Sequence, residues 1–149
     1  MSAETVFAIA NNGVIPFWLL LVIAPGWKGT PLLVHGFAFP MLLAVLYLYL
    51  AVTSFGGCEG DFFSLAGVAA MFEDPNALLA GWVHYLIFDL FVGAWIVRDS
   101  HRRRINHFLA VPCVFFSLML GPVGLLMYYV LRGVLRNTWT LDETAGLVA

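Results

Sequence analysis

The chain has 149 residues, 62% hydrophobic and only 11% charged, with seven Lys and Arg against nine Asp and Glu for a net charge of −2. Soluble domains carry about 25% charged residues, and one of this size hides only about 70% of its unfolded surface, so polar groups must cover the rest. With a mean hydropathy of +0.92, a water-soluble globule is excluded, the charge leaves no electrostatic footprint for nucleic acid, and the chain reads as an integral membrane protein.

Four apolar stretches, at about 5–24, 31–54, 76–97 and 105–131, match the roughly 20 helical residues that cross a hydrocarbon core about 30 Å thick. They lack the period-two alternation of a barrel strand. The predicted fold is all-α: a polytopic, four-transmembrane-helix bundle filling one domain, 1–149, with no internal repeat. Span 1 has no basic region before it, and Ala24-Pro25 is a poor cleavage site, so it reads as a retained helix; no transit peptide is visible.

Lys28 lies between spans 1 and 2, and Arg98, Arg102, Arg103 and Arg104 lie between spans 3 and 4. The other predicted face holds both termini and the loop 55–75, with Arg132 and Arg136 but also Glu4, Glu59, Asp61, Glu73, Asp74, Asp142 and Glu143. The positive-inside rule makes the Lys28 and Arg98–Arg104 face cytoplasmic and puts both termini outside. In loop 55–75, Gly56, Gly57 and Gly60 lead to Asp61, the predicted cap of a short outer interfacial helix over 62–72; Asp74-Pro75 reads as N-cap and first-turn proline of span 3.

Cys58 falls in that outer loop, whereas Cys113 lies about 12 Å into span 4 from the other side, so two free thiols are expected rather than a disulfide. Metal, P-loop and dinucleotide motifs are absent. His101 and His107, flanking Arg102 to Arg104, read as a basic contact to lipid headgroups rather than a metal site.

Asp89 is the one acidic side chain well inside any predicted span. A carboxylate there costs about 2.5–3.5 kcal/mol even on the lenient insertion scale, which makes it a functional candidate by default. At about 100° per residue, Trp82, Tyr85, Asp89, Gly93 and Ile96 share one stripe. Alternating span direction places Asn11, Asn12, His84 and Gly121-Pro122 in one layer, with Asp89 a turn inward. Pro16 and Pro122 each free a backbone carbonyl in that region. The layer reads as a buried polar pocket, although Asn, His and Tyr in membrane helices also serve simply as interhelical hydrogen bonds. The row His84, Phe88, Phe91 and Trp95 either lines a groove for a flat apolar ligand or packs the bundle. Tyr47, Tyr49, Tyr128 and Tyr129 read as an interfacial belt toward the outer end of spans 2 and 4.

Several strings resemble a known family: Gly81-Trp82-Val83-His84-Tyr85, Phe88-Asp89-Leu90-Phe91-Val92-Gly93 with Trp95, Arg98-Asp99, Gly121-Pro122-Val123-Gly124-Leu125-Leu126, and Ser64-Leu65-Ala66-Gly67-Val68. They are similar to the abscisic-acid-deficient-type (neoxanthin synthase-like) membrane proteins, whose plant members are implicated in making neoxanthin from violaxanthin. The resemblance covers 62–131; spans 1 and 2 share only hydropathy. Ala94 stands where plant members carry a basic residue before the span 3 Trp, and the lack of a transit peptide suggests a bacterial inner-membrane protein, so a related but different substrate is open.

The resemblance implies a cofactor-free isomerase of a xanthophyll: an epoxide is protonated as it opens, and a hydrogen leaves the adjacent polyene carbon. That chemistry asks for one acid, one base and a dry slot. Asp89 and His84 are the catalytic candidates, their order open; Tyr85, Asn11, Asn12, Trp82, Phe88 and Trp95 are candidates for binding the substrate. No metal or redox cofactor is called for. The expected partners are a carotenoid or other isoprenoid, membrane lipid and a second copy in a homodimer. Two other classes remain: a non-enzymatic carotenoid or isoprenoid carrier, and a small proton or solute conductor.

Overall fold

The apolar runs form helices. A computed structural model describes residues 1–36, 38–57 and 59–140, and among these there is no strand. The elements are α1 (Ala3–Gly13), α2 (Ile15–Ile23), a π-helical turn (Pro31–His35), α3 (Ala38–Ser54), α4 (Leu65–Met71), α5 (Pro75–Arg102), α6 (His107–Leu120) and α7 (Pro122–Arg136). Among the described residues three stretches are long and apolar enough to cross a membrane: Ala3–Ile23, Pro31–Ser54 and Pro75–Arg102. The expectations placed on Cys58, Asp142 and Glu143 fall outside the described residues.

Side-chain caps set the helix starts. Ser2 Oγ accepts from Thr5 N at 3.2 Å to open α1, with Glu4 in the first turn where the helix dipole favours an acid. Asp74 Oδ1 accepts from Asn76 N at 2.8 Å and Ala77 N at 2.9 Å, and Pro75 opens α5, as the sequence predicts. The cap of α4 differs from expectation. Ser64 Oγ takes Gly67 N at 3.0 Å, while Asp61 Oδ1 accepts from Phe63 N and Ser64 N one turn earlier. Asp61 therefore closes a turn before the helix, and α4 begins at Leu65 rather than 62.

The chain forms two compact units. The first comprises Met1–Ile15 and Phe37–Phe88. In it, Ala77, Leu79, Ala80, Val83 and Leu86 make the buried stripe of α5, and Leu43 and Leu50 that of α3. α1 meets α5 where Phe7 lies 5.6 Å from Trp82, ring to ring. α3 meets it where Tyr47 lies 5.8 Å from His84.

The second unit comprises Pro16–Gly36 and Asp89–Ala149. Its core holds Trp18, Leu21, Leu90, Ile96, Val97 and Val114. A Cβ at Gly93 would meet Trp18 within 2.7 Å, so glycine there lets α2 lie against α5. Thr30 Oγ1 donates to Ala24 O at 2.7 Å and ties down the turn after α2.

The fourth predicted span, 105–131, is two helices. Gly121 is buried with φ +42° and ψ −93°, outside the helical region, and Pro122 has no N–H to continue the α6 ladder. The chain turns back on itself. In a continuous helix Gly124 would stand about 10 Å from Ser117; here a Cβ on Gly124 would collide with the backbone of Ser117 and Cys113. Arg136, at the far end of α7, donates to Arg104 O just before α6 begins. α6 and α7 are thus an antiparallel hairpin of 14 and 15 residues. Span 1 is likewise divided, at Val14, because Pro16 cannot donate to the Asn12 carbonyl.

Candidate functional site

In the first unit several candidates gather at the α1–α5 contact. Trp82 Nε1 donates to Asn11 Oδ1 at 3.2 Å, and its ring lies 5.3 Å from that of Tyr85. Asn12 does not join them. It is exposed and donates to Ala8 O, four residues back on its own helix, at 2.8 Å. His84 is exposed on α5, its ring 4.5 Å from Phe88 and 5.8 Å from Tyr47. The expected enclosed polar layer is therefore not what surrounds His84: its neighbours are aromatic faces.

A groove of about 450 Å³ runs beside this cluster, lined by Ala3, Glu4, Phe7, Pro75, Leu78, Leu79 and Trp82. Its walls are apolar apart from Glu4 at the rim, and its volume lies in the range of small-molecule sites. Phe7 and Trp82 supply flat faces suited to a conjugated or cyclic hydrocarbon.

In the second unit Asp89 is 8% exposed and sits against the tip of the α6–α7 hairpin. A Cβ on Gly121 would come within 2.6 Å of its Oδ1, so only a glycine lets the turn approach the carboxyl. Trp95 is not part of a continuous aromatic row with His84 and Phe88. It is buried, with its ring edge-on to Tyr128 at 5.4 Å and the Arg132 guanidinium 5.7 Å above it.

The sequence reading missed the largest polar assembly of this unit. Asp99 Oδ2 accepts from Tyr128 OH at 2.8 Å, Arg103 Nε at 2.9 Å and Arg132 Nη1 at 3.2 Å, and Oδ1 accepts from Arg102 Nη2 at 3.3 Å. Asp99, Tyr128 and Arg132 are all essentially inaccessible. Arg132 also donates to the carbonyls of Thr138 and Thr140, tying down the segment after α7. Arg132, Arg136 and Tyr128 had been expected on the face opposite Arg98–Arg104. The hairpin reverses the chain and returns them to it. The spacing of Asp99 to Arg102 and Arg103, three and four residues, was the signal for part of this network; Arg132 gave none, standing alone in an apolar run.

Comparison with known proteins places the chain. The family model described as ABA DEFICIENT 4-like matches residues 5–128. The chain belongs to the ABA DEFICIENT 4-like family. The match begins near the start of α1, so the family likeness takes in the first two apolar stretches as well as 62–128. Protein ABA DEFICIENT 4, chloroplastic, from Arabidopsis thaliana is 28% identical over 145 residues, covering 92% of this chain and 64% of the plant protein. The chain thus spans less than two thirds of the length of that relative. The relative is named as chloroplastic, and the match gives no support to the bacterial inner membrane expected from the sequence. No solved structure matches this ABA DEFICIENT 4-like chain.

Proposed function

We propose that this ABA DEFICIENT 4-like protein is a membrane-embedded isomerase that opens the epoxide of a carotenoid-like substrate. The observation that carries the reading is Asp89, a carboxyl buried mid-helix in an apolar chain and abutted by the non-helical turn at Gly121. A carboxyl so placed is costly unless used, and irregular backbone at such a position occurs where it lines protein rather than lipid.

The reaction balances without an external reductant or oxidant. As the epoxide C–O bond breaks, its oxygen takes a proton and becomes an alcohol; a C–H bond on the neighbouring polyene carbon breaks, its proton goes to a base, and its electron pair forms the new double bond. Asp89 and His84, a carboxyl and an imidazole in the middle of α5, divide the acid and base roles. Trp82, Tyr85 and Asn11 bind the end group of the substrate, and Phe88 contributes aromatic surface; Asn12, bonded to its own helix, and Trp95, packed against Tyr128 and Arg132, are the weakest members. The family likeness supports a carotenoid-related role, and the apolar groove beside Trp82 supports a flat hydrocarbon ligand.

The same groove also fits a second reading, a carotenoid or isoprenoid carrier without chemistry. Membranes containing the protein, supplied with an epoxy-carotenoid and extracted after incubation, separate the two. An isomerase changes the pigment's mass-neutral absorbance spectrum, and Asp89→Asn stops that change while the pigment stays bound. Unchanged turnover in Asp89→Asn removes Asp89 from the mechanism.

The charge distribution supports a revised orientation. All seven Lys and Arg residues belong to the unit 16–36 and 89–149, whereas the first unit carries Glu4, Glu59, Asp61, Glu73 and Asp74 and no Lys or Arg. With three crossings and a hairpin that enters and leaves on one side, the positive-inside rule puts Lys28, Arg98–Arg104 and the end of α7 on the inner face, and the N-terminus on the other.

A further inference from the structure

The second unit contains a pocket that the proposed reaction does not use. It measures about 400 Å³ and is lined by Pro25, Pro31, His35, Arg98, His101 and Arg102. Pro25 lies in the turn after α2, Pro31 opens the π-helical turn and His35 ends it, and the other three lie in the last two helical turns of α5. Two permanent cations and two imidazoles thus face one cavity, with no carboxylate among its described lining residues. The nearest acid, Asp99, has its oxygens engaged by Arg102, Arg103, Tyr128 and Arg132.

Two observations indicate that this is a built site rather than a solvated basic turn. His35 Nδ1 is buried and has no hydrogen-bond partner among the described residues, although burying such an atom unpaired is unfavourable. The second concerns His107, which from sequence belonged with the arginines as a headgroup contact. Its Nε2 lies 2.9 Å from Val22 O, so it is fixed against α2, and His101 stacks on it at 5.8 Å. The basic residues are thereby sorted: His107 holds the scaffold, and His35, Arg98, His101 and Arg102 surround the cavity.

We propose that this pocket binds a phosphate group. Arginine presents a planar fork of donors that matches phosphate oxygens, and an imidazole N–H adds a directional donor. The pocket lies at the end of a membrane-crossing helix and two prolines form its apolar rim, so the phosphate of an amphiphile can enter with its chains left in the lipid. Free inorganic phosphate offers the same chemistry.

The test uses the full chain in nanodiscs of phosphatidylcholine, with and without phosphatidic acid, and in phosphatidylcholine alone with inorganic phosphate added. Retained lipid is measured by mass and stability by the thermal midpoint. A headgroup site enriches phosphatidic acid over phosphatidylcholine, and Arg98→Gln lowers the enrichment about fivefold for the one cation removed. A free-phosphate site instead shows a midpoint raised by inorganic phosphate in wild type and not in Arg98→Gln. Arg98 is exposed, so its variant keeps the wild-type midpoint in phosphatidylcholine alone, and His35→Gln serves as an independent second variant. Equal phosphatidic acid enrichment in wild type and both variants, with no phosphate-dependent stabilisation, overturns the proposal.

Discussion

Gly121 and Asp89 are in contact that admits no side chain on the glycine: a Cβ there would sit 2.6 Å from Asp89 Oδ1. The turn that ends α6 and the carboxyl in the middle of α5 were therefore shaped for each other. Gly121→Ala carries two penalties, the disfavoured backbone angles and the clash. We expect it to lose about 1–3 kcal/mol of stability, measured by denaturant unfolding in detergent micelles. In an Asp89→Ala background the steric part disappears and the loss is smaller, a coupling that a double-mutant cycle reads directly.

Asp89→Asn preserves shape and removes the titratable proton. If the carboxyl acts as acid or base, turnover of an epoxy-carotenoid falls roughly 10²- to 10⁴-fold while pigment retention and the unfolding midpoint change little. His84→Gln, at an exposed position, should likewise spare folding and slow turnover. A His84→Gln protein with wild-type turnover would leave Asp89 without its proposed counterpart.

The Asp99 network predicts a stability effect that depends on which partner is removed. Asp99→Asn leaves Arg132, which is wholly inaccessible, and Arg103 facing a neutral group, and is expected to cost about 3–5 kcal/mol. Replacing Asp99 and Arg132 together by apolar residues of similar volume should recover the part of that loss owed to Arg132, whose desolvated charge goes with its partner, while Arg103 still lacks the Asp99 carboxylate. A double variant no more stable than Asp99→Asn would contradict this account.

Trp82 offers a separation of hydrogen bond from surface. Trp82→Phe deletes the donor to Asn11 and should cost about 0.5–1.5 kcal/mol while keeping an aromatic wall on the groove. Trp82→Ala removes the wall, and bound pigment should fall well below the Trp82→Phe level in the absorbance of purified protein.

Orientation is tested with reporters fused to the two ends of the chain. The hairpin predicts that they lie on opposite sides of the membrane, the C-terminal one with the Arg98–Arg104 turn. Reporters found on the same side would restore the four-crossing topology.

The sequence by itself determined the class of this protein: so few charges spread over so many apolar residues leave no water-soluble fold. It also determined where the apolar helices run and the Asp74-Pro75 start of α5, since each depends on local composition or on residues adjacent in the chain. The tertiary structure decided what hydropathy cannot register. A 27-residue apolar run, 105–131, reads alike whether it is straight or folded back, and only the Gly121 angles, with Gly124 against Ser117 and Cys113, make it a hairpin. That reversal brings Arg132 to Asp99 from 33 positions away; His84, in the other unit, lies among the rings of Tyr47 and Phe88 rather than in the polar layer its depth suggested. Periodicity fixes the face and depth of a residue on one helix; which neighbour fills the space opposite is settled by close packing between segments far apart in sequence.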